Sequence, residues 1–289
     1  MKIIVGRTAG FCYGVKRAVE GAKEEVKKNN KSIFCLGEIV HNKQVVEELK
    51  NEGIIFVEEI DQAKGKTIIR AHGVPKEEYE KAKKMNINII DYTCPNVLKI
   101  HEIANEYSKK GYYIFLCGNE KHPENIGTIS YCGNNFSIIE KEDDVYKALK
   151  NLKKSKLEKL LLISQTTYSL EKFRIIEEII GNELDKNTKL VVKNTICKAT
   201  EFRQKETEEI SKNVDCMIII GGTNSSNTKK LYEIANRNCK NCICIETVED
   251  LDLAELRKYD KIGIMAGAST PKKSIEEVKL KGESIFVSL

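Results

Sequence analysis

Three cysteines, each followed by the same succession of structural signals, constrain the fold more than any other feature of this sequence. Each cysteine precedes a stretch with helical periodicity, and each helical stretch is followed by a short apolar strand that ends in glycine. The cysteine and glycine pairs are Cys12 and Gly37, Cys94 and Gly118, and Cys197 and Gly221, with spacings of 25, 24 and 24 residues. The pattern predicts three copies of one β/α unit.

Each predicted unit continues in the same order after its glycine. A polar residue stands four positions later (His41, His122 or Ser225), before a second apolar strand, an acidic turn, a helix and a third strand. Chance spacing in a β/α chain is the alternative, but it leaves the shared offset of the polar residue unexplained. Strands that alternate with helices indicate an α/β fold with three similar parallel-sheet lobes. We place the lobes at residues 1–93 (with the N-terminal strand), 94–193, and 194–289 (with the C-terminal tail).

The third predicted strands all end in small or polar loops. These loops contain Ala71-His72-Gly73, Ser164-Gln165-Thr166-Thr167 and Ala266-Gly267-Ala268-Ser269-Thr270-Pro271. Ligands gather at the carboxyl ends of parallel strands, so we expect the polar side chains to line a site. Since each of the three cysteines begins a helix, lobes that face one another would bring the three thiols near a common axis.

The composition limits the class of protein. Lys and Arg total 48 against 43 Asp and Glu, a formal net charge of +5, but the charges form short mixed runs without a compact basic block. We therefore expect no nucleic-acid partner. The absence of a signal sequence or long apolar stretch predicts a soluble, cytoplasmic protein with no membrane partner. Ten cysteines in a reducing compartment favour metal binding or catalysis for some and core packing for the rest.

Three widely separated cysteines without an obvious fourth predict a metal centre with one open position. Structural zinc normally has four protein ligands, often in C-x₂-C pairs, whereas iron–sulfur clusters are held by Cys thiolates. Cys239, Cys242 and Cys244 superficially resemble a metal site, but the last two alternate with isoleucines as in a strand, which favours packing. Four other cysteines in or beside apolar strands are also interpreted as packing residues: Cys35, Cys117, Cys132 and Cys216.

Three of the four histidines, His41, His72 and His122, stand at predicted strand ends or just past them. A structural role is the alternative for any one of them, but equivalent positions suggest a shared task, and imidazolium N–H groups bind phosphate well. Neutral donors come from the third unit: Ser225, Ser226, Asn227 and Ser269. Together with helix N-termini, these residues predict a diphosphate site.

Glu124 is the only acidic residue of the sequence beside these polar positions, in His122-Pro123-Glu124. Next to a cluster and an anion its pKa should rise, which makes it a candidate proton donor. Thr166 is a candidate to relay or orient that proton. The alternatives are a first-turn carboxylate that interacts with a helix dipole and a simple capping hydroxyl.

Nine motifs in order make the chain resemble the 4-hydroxy-3-methylbut-2-enyl diphosphate reductases, also called the IspH or LytB family. The motifs are Gly10-Phe11-Cys12-Tyr13-Gly14-Val15, Gly37-Glu38-Ile39-Val40-His41-Asn42, Arg70-Ala71-His72-Gly73-Val74, Thr93-Cys94-Pro95, His122-Pro123-Glu124, Ser164-Gln165-Thr166-Thr167, Cys197-Lys198-Ala199-Thr200, Asn224-Ser225-Ser226-Asn227-Thr228 and Ala266-Gly267-Ala268-Ser269-Thr270-Pro271. Pro75 directly after Val74, and Asn125 after Glu124, depart from the commoner pattern. Because the chain ends at Leu289, we expect no appended RNA-binding domain.

The resemblance implies a pseudo-threefold trefoil around a central [4Fe–4S] cluster, one per chain, held by Cys12, Cys94 and Cys197. By similarity, the open iron takes the hydroxyl oxygen of an allylic diphosphate substrate, and Glu124 supplies a proton with help from Thr166. The family's diphosphate pocket maps onto His41, His72, His122, Ser225, Ser226, Asn227 and Ser269. The implied reaction is a two-electron reductive dehydroxylation to isopentenyl and dimethylallyl diphosphates, the last step of the non-mevalonate isoprenoid pathway. Reduced ferredoxin or flavodoxin would supply the electrons.

Two rival functions use the same residues differently. In the first, the three cysteines and a histidine bind zinc, and the protein hydrolyses a phosphorylated substrate. In the second, the protein is a non-enzymatic anion-binding module whose cluster senses redox state. Glu124 and Thr166 argue against the sensor, because a pure sensor needs no proton donor.

Overall fold

The structure is a computed structural model that describes residues 2–28 and 32–287, without the side chains of residues 285–287. The last two residues of the predicted C-terminal tail therefore lie outside the described residues. The described strands are β1 (Lys2–Val5), β2 (Ile33–Leu36), β3 (Ile54–Val57), β4 (Thr67–Ile69), β5 (Ile89–Asp91), β6 (Tyr113–Cys117), β7 (Phe136–Ile139), β8 (Lys159–Ser164), β9 (Lys189–Val192), β10 (Cys216–Ile220), β11 (Cys242–Ile245) and β12 (Lys261–Ala266).

The strands alternate with helices along the chain. The α-helices are α1 (Tyr13–Lys28), α2 (Lys43–Asn51), α3 (Lys76–Lys84), α4 (Pro95–Lys109), α5 (Pro123–Ile129), α6 (Asp143–Ser155), α7 (Leu170–Glu183), α8 (Lys198–Ser211), α9 (Ser226–Asn238), α10 (Leu253–Leu256) and α11 (Lys272–Val287). Short 3₁₀ helices span Ile60–Gln62 and Val248–Asp250. No helix in the described part of the chain is long and apolar enough to cross a membrane.

Within the described part of the chain, the strands form three four-stranded sheets in which every pair is parallel. The strand orders are β3-β2-β4-β5, β7-β6-β8-β9 and β11-β10-β12-β1, so the same arrangement occurs three times. Central strands such as β6 and β10 are buried along their whole length, as their continuous apolar sequences require. The predicted α/β class with three similar parallel sheets is confirmed.

The fourth strand of each sheet is the element that the repeat pattern misses. β5 and β9 are short strands that shortly precede Cys94 and Cys197 in the chain, and β1 likewise precedes Cys12. In the last sheet no further strand follows β12 among the described residues, and β1 pairs with β12 from the other end of the chain, from Lys2 beside Lys261 to Val5 beside Ile264. The prediction grouped this N-terminal strand with residues 1–93, whereas its hydrogen-bonded neighbour is β12; the three lobe boundaries themselves stay a prediction.

Backbone contacts divide the chain into two compact units. Unit 1 comprises Met1–Lys16, Val40–Leu49 and Lys198–Leu289, and unit 2 comprises Arg17–Ile39 and Lys50–Cys197. Unit 1 contains the sheet β11-β10-β12-β1, and β10 packs alternate side chains into two cores: Ile218 and Ile220 on one face, Met217 and Ile219 on the other. Unit 2 contains the other two sheets.

Candidate functional site

Each predicted cluster cysteine has its backbone N–H bound in the same way. The Cys94 N–H donates to the Ala71 carbonyl at 3.0 Å, that of Cys197 to Thr166 at 3.0 Å, and that of Cys12 to Ala268 at 3.2 Å. Every acceptor lies two residues after the end of a third strand, since β4, β8 and β12 end at Ile69, Ser164 and Ala266. The polar loops that the sequence singled out therefore hold the cysteines as well.

The three thiols suit a metal cluster in their chemistry. All three residues are partly exposed, none forms a disulfide within the described residues, and a helix begins at the residue after each. Cysteine binds metal ions through its sulfur as the thiolate. In addition, the Asn96 side-chain amide donates a hydrogen bond to Cys197 Sγ at 3.1 Å. This donor set fits an iron–sulfur cluster held by three thiolates.

The remaining cysteines mostly lie in apolar surroundings. Burial raises the pKa of four thiols to about 12: Cys35, Cys132, Cys216 and Cys242. A thiol that stays protonated is a poor metal ligand and behaves as a small apolar group. Cys244 departs from the packing expectation because β11 is an edge strand, where this side chain is exposed.

Unit 2 brings Glu124, Thr166 and Cys197 into one hydrogen-bonded chain. Glu124 is 2% exposed, and its two carboxylate oxygens accept hydrogen bonds from the Thr166 N–H at 2.6 Å and from the Thr166 hydroxyl at 2.5 Å. Burial raises the pKa of Glu124 to about 7, although both hydrogen bonds from Thr166 oppose the rise. Because the Thr166 carbonyl also accepts from Cys197, one threonine links the candidate proton donor to a candidate cluster ligand.

His72 and His122 also come together in unit 2, with ring centroids 5.5 Å apart and rings nearly perpendicular. His122 caps α5, and its Nδ1 accepts a hydrogen bond from the Glu124 N–H at 3.2 Å. Nδ1 therefore carries a lone pair, so Nε2 bears the proton of the neutral ring and is a donor for an anion. His72 follows β4 and precedes Gly73, whose φ of +74° favours glycine.

Unit 1 groups the other predicted binding residues. The Ser269 hydroxyl donates to the His41 carbonyl at 3.1 Å, and Ser225 caps α9 by accepting the Thr228 N–H at 3.3 Å. Ser226 begins α9. Asn227 follows it, is 3% exposed, and has no hydrogen-bond partner for either side-chain amide atom among the described residues. A buried amide without a partner is typical of a group that binds a ligand.

Supporting residues around the loop that precedes α5 were not identified from the sequence. Asn125 is fully buried and donates to the Asn119 carbonyl at 2.7 Å and to Gln165 Oε1 at 2.9 Å. The Gln165 amide nitrogen in turn donates to the Thr167 hydroxyl at 2.7 Å. These contacts tie the loop before His122 to the loop that carries Thr166. The unusual Asn125 was the one available signal, but its partners are distant in sequence.

Known proteins match this chain over nearly its whole length. Residues 3–281 match the family described as LytB protein. The 4-hydroxy-3-methylbut-2-enyl diphosphate reductase of Clostridioides difficile (strain 630) is 42% identical over 283 residues, which cover 96% of this chain and 98% of the relative. The enzyme of the same name from Aquifex aeolicus (strain VF5) is 40% identical over 287 residues, with 98% and 96% covered.

Solved structures agree with the sequence relatives. A structure of (E)-4-hydroxy-3-methyl-but-2-enyl diphosphate reductase, described as the terminal enzyme of the non-mevalonate pathway, is 38% identical with a TM-score of 0.71, and 100% of each chain is covered. The E-1-hydroxy-2-methyl-but-2-enyl-4-diphosphate reductase from Plasmodium falciparum is 33% identical with a TM-score of 0.86, covering 96% of this chain and 87% of that one. This chain belongs to the LytB protein family.

Proposed function

We propose that this chain is a 4-hydroxy-3-methylbut-2-enyl diphosphate reductase, which reductively removes the hydroxyl group of its allylic substrate. Two electrons and two protons enter, the carbon–oxygen bond breaks, and water leaves with isopentenyl or dimethylallyl diphosphate as the other product. Family membership and relatives of this name at 40% and 42% identity support the assignment. The observation that carries it is the buried Glu124 carboxyl, which is held by Thr166.

We propose Cys12, Cys94 and Cys197 as the ligands of one [4Fe–4S] cluster per chain. Support comes from the shared backbone anchor of the three residues and from their position before helix N-termini. When bound, such a cluster supplies electron transfer and an open iron that acts as a Lewis acid. Reduced ferredoxin or flavodoxin in the cytoplasm is the proposed electron source.

The diphosphate is the part of the substrate that the remaining site residues suit. His122 presents Nε2 as a donor, Asn227 offers an amide without an internal partner among the described residues, and α9 adds a helix N-terminus. We assign His41, His72, His122, Ser225, Ser226, Asn227 and Ser269 to this task. Ser225 caps α9 as an acceptor and can still donate its proton to the diphosphate, whereas the Ser269 hydroxyl donates to the His41 carbonyl and has to turn before it can donate to a phosphate oxygen.

Glu124 is the proposed proton source. A pKa of about 7 keeps an appreciable fraction of the carboxyl protonated at neutral pH, which an exposed glutamate would not do. The Thr166 N–H and hydroxyl fix the carboxyl in one orientation, and burial of the pair keeps bulk water away from it. Glu124 therefore holds its proton until the leaving oxygen or the allyl carbon accepts it.

Substitution Glu124→Gln tests the proposal, because it keeps the shape of the side chain but removes the acid. With anaerobically reconstituted protein and a chemical reductant, we expect turnover of the allylic diphosphate to fall about 10²- to 10⁴-fold at unchanged iron and sulfide content. A variant as active as the wild type would exclude Glu124 as the proton donor. A wild-type chain that holds a full cluster and forms neither product would contradict the reductase assignment.

A further inference from the structure

Three polar side chains outside the proposed substrate site each contact a candidate cluster cysteine or the segment that precedes it. They are Arg17 on α1, Asn96 on α4 and Arg203 on α8. These are the three helices that begin immediately after Cys12, Cys94 and Cys197. Each contact lies inside one compact unit.

Arg203 holds the segment before Cys12. Although it is only 3% exposed, its Nε donates to the Thr8 carbonyl at 2.9 Å and its Nη2 to the Gly10 carbonyl at 2.9 Å. A planar guanidinium can bond two alternate carbonyls of one segment at once, which a lysine ammonium cannot do in the same geometry.

Glu206, three residues further along α8, holds the same segment from its donor side. Its carboxylate accepts from the Arg7 N–H and the Thr8 N–H, each at 2.8 Å, and from the Thr8 hydroxyl. The chain that leads from β1 to Cys12 is thus bonded to α8 through both its carbonyl and its N–H groups. Charge-assisted hydrogen bonds of this kind are stronger than neutral ones.

Arg17 makes the equivalent contact before Cys94. Its Nη1 donates to the Thr93 carbonyl at 3.1 Å and its Nη2 to the Asp91 carbonyl at 3.2 Å, again two alternate residues. The guanidinium also lies over the ring of Tyr92, 5.6 Å from the centroid. The segment that ends at Cys94 is therefore held between α1 and the backbone anchor at Ala71.

Asn96 completes the series at Cys197, where the contact is to the sulfur itself. The three contacts follow one another in a cycle. The helix after Cys12 holds the Cys94 segment, the helix after Cys94 contacts Cys197, and the helix after Cys197 holds the Cys12 segment. Hydrogen bonds to cluster sulfurs and the fixed position of ligands set both the reduction potential and the retention of such clusters.

We propose that Arg17, Asn96 and Arg203 are positioning residues for the cluster, each carried on the helix that follows one cysteine and each fixing the next cysteine. The inference rests on the proposed cluster ligands. It means that the ligand segments are ordered before iron arrives and that loss of one contact weakens one cysteine rather than the whole protein.

Hydrogen–deuterium exchange of the full-length chain, before and after anaerobic reconstitution, tests the proposed positioning role segment by segment. We expect Arg203→Gln to speed amide exchange in residues 7–12 by about tenfold or more and to leave residues 91–94 unchanged. Arg17→Gln should speed exchange in residues 91–94 and leave residues 7–12 unchanged, so each variant is the control for the other. Arg7→Gln removes a charge from the same loop and a 4.0 Å ion pair with Glu206 but no backbone contact. Because the Arg7 side chain is 98% exposed and an exposed pair of this kind contributes little, the substitution should change neither segment.

The reconstituted protein gives the second measurement. Release of iron to a chelator should be about tenfold faster in Arg17→Gln and Arg203→Gln. Asn96→Leu should lower the reduction potential of the cluster at unchanged thermal stability, because it removes a hydrogen bond to sulfur. Arg203→Lys keeps the positive charge but not the contact with two carbonyls, so amide exchange in residues 7–12 should stay faster than in the wild type.

Several outcomes would contradict the inference. Equal changes of amide exchange in residues 7–12 and 91–94, no change in either segment, or wild-type exchange in Arg203→Lys would overturn it. If Arg203→Gln does not fold, the results for Asn96→Leu and Arg203→Lys decide whether the inference holds. A wild-type chain that takes up no cluster would overturn the proposed function. Unchanged exchange and iron release in a chain that does bind the cluster would overturn only the present inference.

Discussion

Thr166 contacts both of the groups on which the proposed chemistry depends. Its N–H and hydroxyl bind the Glu124 carboxylate, and its carbonyl binds the Cys197 N–H. The sequence indicated Thr166 and Glu124 as candidates, but it did not predict that Thr166 also binds the Cys197 N–H. That contact depends on the backbone path of the loop after β8, which no side-chain pattern encodes.

Glu124 gives a prediction for the pH dependence of turnover. As a proton donor with a pKa of about 7, it should lose activity as pH rises through that value, about tenfold for each pH unit above it. The profile of kcat for the wild type, measured with a chemical reductant at saturating substrate, should show this alkaline limb. The residual activity of Glu124→Gln should lack it, and an identical limb in that variant would assign the titration to another group.

The α4 and α5 helices pack around His101, the one histidine that the proposed site does not use. His101 is 3% exposed, its ring stacks on Tyr131 at 4.6 Å, and neither ring nitrogen has a hydrogen-bond partner within the described residues. A Cβ at Gly73 or Gly127 would lie 3.1 or 3.4 Å from this ring. The ring thus supports both the loop of His72 and the helix of Glu124, which the helical periodicity of α4 alone does not reveal.

Burial lowers the pKa of His101 from 6.5 to about 4, against the opposing charge of Asp91. The unfolded chain therefore binds more protons than the folded chain between these values, so the His101 contribution to stability is full above pH 6.5 and is lost as pH falls toward 4. His101→Leu should remove this part of the pH dependence. It should change the free energy of unfolding at pH 7 by no more than about 1 kcal/mol, since it deletes an unsatisfied polar ring.

Urea unfolding of the two proteins at a series of pH values measures this difference. Glu124→Gln is the matched control, because the raised pKa of Glu124 acts with the opposite sign: its contribution falls as pH rises from 4.5 to about 7. If His101→Leu kept the wild-type slope between pH 4 and 6.5, His101 would not be the neutral packing residue described.

The described part of the chain is a threefold repeat in which the N-terminal strand β1 completes the sheet of the last unit. The sequence predicted the three units, their class and the loops at the strand ends, because apolar strands, helical periodicity and cysteine spacing are local signals. It did not predict that β1 closes the sheet of the last unit, because strand pairing between distant segments leaves no local signal. Since β1 leads directly to Cys12, this pairing connects the repeat to the candidate cluster site.

Proline substitutions in β1 test the pairing. The Lys2 N–H donates to Asp260 and the Gly6 N–H to Ile264, so in a parallel ladder the Ile4 N–H also faces β12, whereas the Ile3 N–H faces the open edge. We expect Ile4→Pro to lower the free energy of unfolding by about 1–3 kcal/mol more than Ile3→Pro. Equal effects of the two substitutions in chemical denaturation would contradict the register of β1 beside β12.

The most direct measurement for the central claim is the metal and sulfide content of anaerobically purified protein, with a visible spectrum recorded before and after addition of the allylic diphosphate. We expect a brown protein with close to four irons and four sulfides per chain, whose spectrum shifts with the substrate. A colourless protein that carries stoichiometric zinc and no sulfide, even after anaerobic reconstitution, would contradict the reductase account and favour a zinc hydrolase.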